Sequence, residues 1–260
     1  KLNCQRIYLR IMKKQKWIVG LMAALSVMLA AVGSLCGAIE REAVDPALYG
    51  EKSRAAVAQA HGMRDDAVTA YIGMDAARQH DVAQTIALYM ALGGEDAPLA
   101  VDELNEKEIS HMNDVRRLIA LCRTMRTGCI SLAAGLAVAM AWVGATMEKR
   151  HRPVMIGAIC GALVPAAAAG VVGGMMNAAG FGAVFVGLHR LIFTNSNWLL
   201  NPATDILIRM MPQALFETAL RDVLGQFALA FALAVLLLAA AYAVVSGMVK
   251  RQLTQTEERP

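Results

Sequence analysis

An apolar run long enough to cross a bilayer leaves a chain few options. In hydrocarbon every backbone N–H and C=O must be satisfied within the structure, so such a run folds as a helix or joins a closed barrel. The 260-residue sequence holds four of them: 17–39 (WIVGLMAALSVMLAAVGSLCGAI), 128–147, 154–176 and 225–248. Each is near the length of about 20 residues that a spanning helix needs, and far too long for a spanning strand. Hydrophobic residues make up 57% of the chain, and the few charges gather in blocks between the runs. The expected fold is therefore an all-α membrane protein, with four transmembrane helices and a small helical extracytoplasmic domain.

Charge placement orients the spans. Residues 1–16 carry six Lys or Arg and no acid, and the loop after the second run reads EKRHR at 148–152. The tail 249–260 adds Lys250, Arg251 and Arg259, whereas 40–125 holds 15 acids against 9 bases. Positive charge marks the cytoplasmic side. The expected topology thus has both termini (1–16 and 249–260) and the loop 148–153 inside, with 40–127 and 177–224 outside. The apolar region 154–193 could hold two spans, but that would export the basic tail. We read 177–224 instead as an outer interfacial or re-entrant segment. The first run resembles a signal peptide at Cys36-Gly37-Ala38, but it is longer than a usual signal core and is read as retained. Leu35 stands where a lipobox would need a small residue. The clustering of basic residues beside apolar runs is a topology signal, and no nucleic acid is expected as a partner.

The outer segments are helical by pattern. In 75–92 (DAARQHDVAQTIALYMAL) Val82, Ile86, Tyr89 and Met90 share a stripe, and Gly93-Gly94 ends it. A second helix opens at Asn105 with Glu108 three residues on, a capping box. Ile109, Met112, Leu118, Ile119 and Cys122 give it an apolar face.

Five cysteines show neither metal nor redox spacing, and no disulfide framework is indicated. Glu108-x-x-His111 has the spacing of a di-iron carboxylate motif, but no second copy exists. Nucleotide-binding loops and a serine nucleophile elbow are absent. No metal and no cofactor are expected; His61, His80 and His151 read as solvated.

The residues that invite chemistry are two histidines. His111 and Asp114 share a helical face, where a carboxylate can orient an imidazole or simply be a solvated neighbour. His189 and Arg190 stand where an apolar run meets a polar turn. Ionisable groups at membrane depth are expensive and tend to be functional, although a snorkelling pair is the plainer alternative. Trp198 reads as an interfacial anchor. Asp205, after Asn201-Pro202, opens a short helix and complements its dipole.

Two stretches, EKEISHMNDVRRLI and LHRLIFTNSNWLLNPATDILIRMMPQALF, resemble the motif regions of the lipoprotein intramolecular transacylase family. The first carries the pattern at His111, Asp114 and Val115. The second carries it at His189, Phe193, Trp198, Pro202, Asp205, Leu207, Ile208, Pro212 and Phe216. The resemblance implies an acyltransferase at the outer leaflet whose partners are membrane lipid and a diacylated lipoprotein. The sn-2 acyl chain of the S-diacylglyceryl cysteine would move to that cysteine's α-amine, giving the lyso form. It further implies His111 and His189 as the catalytic pair, with Asp114, Arg190, Trp198 and Asp205 binding or orienting the substrate. The alternative from a different class is a non-catalytic membrane scaffold or accessory subunit with an outer binding domain.

Overall fold

A computed structural model describes residues 2–92, 98–144 and 151–257. Among these residues the chain is helical, without strands. The elements are α1 (Leu2–Ala43), α2 (Pro46–Tyr49), α3 (Glu51–His61), α4 (Asp65–Ile72), α5 (Ala76–Leu92), α6 (Glu106–Gly144), α7 (His151–Ala179), α8 (Phe181–Ile192), α9 (Ile206–Met210) and α10 (Gln213–Glu257). Four of them, α1, α6, α7 and α10, are long and apolar enough to cross a membrane. The expected Gly93-Gly94 break and residues 145–150 of the basic loop lie outside the described residues.

Two compact units are built from separated stretches. The first joins 1–35, 125–172 and 227–260. Val19 and Ala23 of α1, Met140 and Ala141 of α6 and Tyr242 of α10 form a buried centre. Helices in lipid gain little from apolar burial against one another, so close approach of small residues does the work. Ser26 Oγ donates to the Ala133 carbonyl at 2.6 Å, across α1 and α6. A Cβ built on Gly157 would lie 2.0 Å from the Gly20 carbonyl oxygen, and one on Gly161 would lie 2.4 Å from that of Ala24. Any side chain there would drive α1 and α7 apart. The pairing of 20 with 157 and 24 with 161 makes these two helices parallel, so Lys16 and Arg152 sit at the same end of the pair. On α10, Leu229, Leu236 and Leu237 turn most of their surface outward, as suits a helix whose surroundings are hydrocarbon.

The second unit joins 36–124 with 173–226. Its core is made by Ile72, Ile86, Met90, Met210 and Leu215 with their neighbours. On α5 the apolar stripe buries Val82, Ile86 and Met90, while Tyr89 stays half-buried under the Arg116 guanidinium, 4.7 Å from its ring centroid. One polar chain runs through this core. Gln79, fully buried, donates to the Tyr49 carbonyl and to Ser53 Oγ, which in turn donates to the Met210 carbonyl. Lys52 bridges Glu42 at 2.7 Å and Asp222 at 2.9 Å, tying the end of α1 to the start of α10.

The apolar stretch after Pro153 is divided later than its composition suggests. Helix α7 runs to Ala179 and stops at Gly180, whose φ of 81° and ψ of 159° only glycine adopts readily. The following α8 has 12 residues, about 18 Å of helix. That is too short to cross a bilayer, which favours one span in this stretch.

Candidate active site

The site begins with a capping arrangement. Asn105 Oδ1 accepts from the backbone N–H groups of Lys107 and Glu108, and Glu108 Oε2 accepts from the Asn105 N–H at 2.9 Å. This is the reciprocal box read from the sequence. The other oxygen does something the sequence does not announce. Glu108 Oε1 accepts from the Leu207 N–H at 2.6 Å, in the first turn of α9. One carboxylate, 1% exposed, thus serves the N-termini of two helices from distant parts of the chain.

Further bonds line the loop 193–205 along the start of α6. Lys107 Nζ donates to the Leu199 carbonyl. Asn197 Nδ2 donates to Ser110 Oγ at 2.8 Å, and Asn195 Nδ2 to Asp114 Oδ2 at 2.8 Å. Asn105 Nδ2 donates to Asp205 Oδ1 at 3.0 Å. Asp205 sits at the N-terminus of α9, as expected, but its side chain does not cap that helix. It accepts instead from the Asn201 N–H and from Thr204 Oγ1, closing the turn before the helix. The Asn201 amide foremost, then the Thr204 and Asn105 bonds, hold its carboxyl below the usual carboxylate range against the opposing effect of burial.

These ties bring α6 and α8 to a common cavity of about 550 Å3. His111 and His189 both line it, with ring centroids 6.1 Å apart. His189 is packed by Phe185 at 4.1 Å, Trp198 at 5.3 Å and Phe193 at 5.4 Å. Phe193 also meets the His111 ring edge-on at 5.2 Å. The rest of the wall is mainly apolar, including Met112, Val115, Phe216 and Ile208, with Gln213 and Tyr49 as its other polar members, and among the described residues no Ser, Thr or Cys lines it.

The two imidazoles differ. His189 Nδ1 lies 2.8 Å from the Phe185 carbonyl one turn back. A carbonyl can only accept, so Nδ1 carries the proton and the neutral ring keeps its lone pair on Nε2. His111 lies in the polar start of α6, before the apolar run at 128. It is buried, and its Nδ1 has no hydrogen-bond partner. Burial, with His189 adding to it and Asp114 partly opposing, pushes its pKa down to about 4, so the ring is neutral near pH 7.

The remaining expected residues fall in different places. Trp198 is on the cavity wall, its Nε1 donating to the Asn195 carbonyl. Asp114 is engaged by Asn195 rather than by the His111 ring, and Arg190 is exposed and not part of the wall. Phe185 was not singled out in the sequence; its place one turn before His189 was the available signal. No group of three or more His, Cys, Asp or Glu suited to a metal occurs among the described residues.

A profile of the family described as lipoprotein intramolecular transacylase Lit matches residues 58–216, which include both histidines. No curated protein sequence matches. Among solved structures, the membrane-integral lipoprotein intramolecular transacylase Lit from Bacillus cereus is similar, with a TM-score of 0.56 and 17% identity over 89% of this chain and 96% of that one. A histidine-to-arginine variant of the Bacillus cereus protein gives 0.60 and 16% over 96% and 99%. At these identities the likeness concerns the fold.

Proposed function

Because the chain belongs to the lipoprotein intramolecular transacylase family, we propose that the two-histidine cavity is where an acyl chain passes from glycerol oxygen to cysteine nitrogen. Membership makes the protein an enzyme, an acyltransferase, and removes the accessory-scaffold alternative. The observation that carries the site is the pair of imidazoles 6.1 Å apart on a mainly apolar wall. An acyl chain suits such a wall, and a proton-transfer step needs such a pair.

The substrate in this reading is a lipoprotein whose N-terminal cysteine bears an S-diacylglyceryl group. Its α-amine, with an ordinary pKa near 8, attacks as the neutral NH2, its ammonium proton having been given up to solvent beforehand, so the proton relayed below is the one the nitrogen sheds on acylation. The nitrogen bonds to the sn-2 ester carbonyl carbon, and the carbon–oxygen bond to glycerol breaks. His189 takes the amine proton on Nε2, since the Phe185 carbonyl fixes the other nitrogen as a donor. It then returns that proton to the leaving glycerol oxygen, so the amide and the free hydroxyl form without net proton change. His111, neutral because it is buried, acts as a hydrogen-bond donor to the tetrahedral oxyanion through Nε2. That no Ser, Thr or Cys lines the wall among the described residues supports direct transfer without an acyl-enzyme. Nucleophile and ester belong to one molecule, so the cavity has chiefly to hold a near-attack geometry.

The scissile ester lies at glycerol depth, and the charge rule places 177–224 at the outer leaflet. Cysteines introduced singly at Glu51, Arg152 and Asn195, all exposed, into a cysteine-free background test this. An impermeant thiol reagent on intact cells should label positions 51 and 195 and spare 152. Labelling at 152 or protection at 195 would reverse the topology. The reaction should also survive EDTA, because no ligand grouping for a metal is found among the described residues. Stoichiometric zinc or iron lost together with activity would replace the two-histidine chemistry with metal-assisted transfer.

A further inference from the structure

The first unit contains a second cavity, of about 500 Å3, that the acyl transfer does not use. Its floor is the parallel crossing of α1 and α7, where Gly20 and Gly157 bring the two backbones together. Its flanks are Leu21 and Ile156, both more than half exposed, and Trp17 is 74% exposed at the rim. Two cations close one end, Lys16 and Arg152. Neither forms an ion pair with any described residue. Both are exposed; Arg152 stands in the first turn of α7 and Lys16 within α1, and the Gly20–Gly157 register sets the two at the same end of the groove.

We propose that this groove holds one anionic phospholipid, its phosphate between Lys16 and Arg152 and an acyl chain along Leu21 and Ile156. The argument is charge complementarity joined to an apolar trough. A cation pair alone would suit any anion, and a trough alone would suit any lipid. Together, an acidic head at one end and hydrocarbon along the rest match one molecule of the bilayer itself. The Gly20–Gly157 contact makes the trough a fixed surface rather than a mobile one, so the lipid meets a shape already formed. The sequence around both cations is basic, with six Lys or Arg in 1–16 and EKRHR at 148–152, which adds attraction for an anionic leaflet. The charge rule puts this end at the cytoplasmic leaflet, and none of the groove's residues belongs to the two-histidine wall, so the bound lipid acts as an anchor and not as a substrate.

The full-length protein reconstituted in nanodiscs of equimolar phosphatidylglycerol and phosphatidylcholine, then extracted for native mass spectrometry, tests the assignment. The wild type should retain phosphatidylglycerol over phosphatidylcholine. A cation near an anionic surface contributes roughly fivefold in affinity, so K16Q/R152Q should lose about thirtyfold in that preference. The charge-preserving K16R/R152K should keep most of it and shows that the sites tolerate substitution. Ile156→Trp, which fills the trough and leaves both cations, should also reduce retention. Equal retention of the two lipids by the wild type, or an unchanged preference in K16Q/R152Q, overturns the proposal. Displacement of the lipid by soluble glycerol phosphate would assign the cations to a free anion and overturn it as well.

Discussion

Replacing His111 or His189 with alanine should each remove conversion of lipoproteins to the lyso form while leaving the protein inserted. A positioned acid–base group contributes about 100- to 10,000-fold, equivalent to roughly 3–5 kcal/mol of barrier. Loss on that scale is visible in cells. His189→Ala removes the lone pair that the Phe185 carbonyl keeps on Nε2. His111→Ala removes the buried neutral donor and also leaves a space beside Phe193. Asp114→Asn should be milder, because Asp114 is hydrogen-bonded to Asn195 of the loop and reaches the His111 imidazole only through its charge, a minor effect beside burial. Arg190→Lys should change little, since Arg190 is exposed and apart from the cavity wall. The reaction leaves the mass of the lipoprotein unaltered, so the measurement is fragmentation of its N-terminal lipopeptide, where the acyl chain appears on the amine side. Full conversion by either alanine variant at wild-type abundance would exclude that histidine from the chemistry.

Glu108 should prove as important to stability as the histidines are to rate. Its two carboxylate oxygens accept from the Asn105 and Leu207 amides, and it is almost fully buried. Glu108→Ala leaves both donors without a partner. An unsatisfied buried donor costs about 1–3 kcal/mol, and that cost falls on the Leu207 amide, since Asn105 is exposed and its N–H can turn to water; the loss should be about 1–3 kcal/mol. Glu108→Gln keeps a single acceptor oxygen and turns an NH2 toward the second donor, so it should recover only part of that. Unfolding of the purified protein in detergent, followed by tryptophan fluorescence, measures both. The unfolding rate is the safer readout, because membrane proteins often unfold irreversibly. A Glu108→Ala variant as resistant as the wild type would mean that water reaches the Leu207 amide and that the double cap is unimportant.

Glu108 also shows what could and could not be read from the sequence. Its bond to Asn105 is local, three residues away, and follows from the Asn-x-x-Glu pattern. Its bond to Leu207 joins residues about a hundred positions apart and has no periodic signature. The same division holds elsewhere. The four spans are legible because the bilayer demands length and apolarity, both of which are properties of a single segment. That 36–124 and 173–226 form one unit is not legible, since neither stretch carries a mark of the other. Ser53 reads as an ordinary polar helix residue, yet it is fully buried between Gln79 and the Met210 carbonyl. His189 could be singled out because a titratable group at an apolar boundary is costly. Phe185 could not, because an aromatic in a greasy segment is unremarkable until the ring beside it is known. Asp205 was placed rightly at the start of a helix, but its partners are set by the turn Asn201–Thr204, whose closure depends on side-chain geometry.

The parallel contact of α1 with α7 bears on how the chain is made. Parallel neighbours cannot be joined by a tight turn, and here the first helix meets its partner only after α6 has crossed. At 5–20 residues per second, α7 leaves the ribosome on the order of ten to thirty seconds after α1. Throughout that interval the Gly20 and Ala24 carbonyls that later face Gly157 and Gly161 are uncovered by any neighbour. The first helix must therefore hold its place in the bilayer by its own hydrophobicity. During synthesis its unoccupied glycine-matched face is an open invitation to any other small-faced helix nearby, and interruption before α7 would strand a half-built bundle with that face still bare.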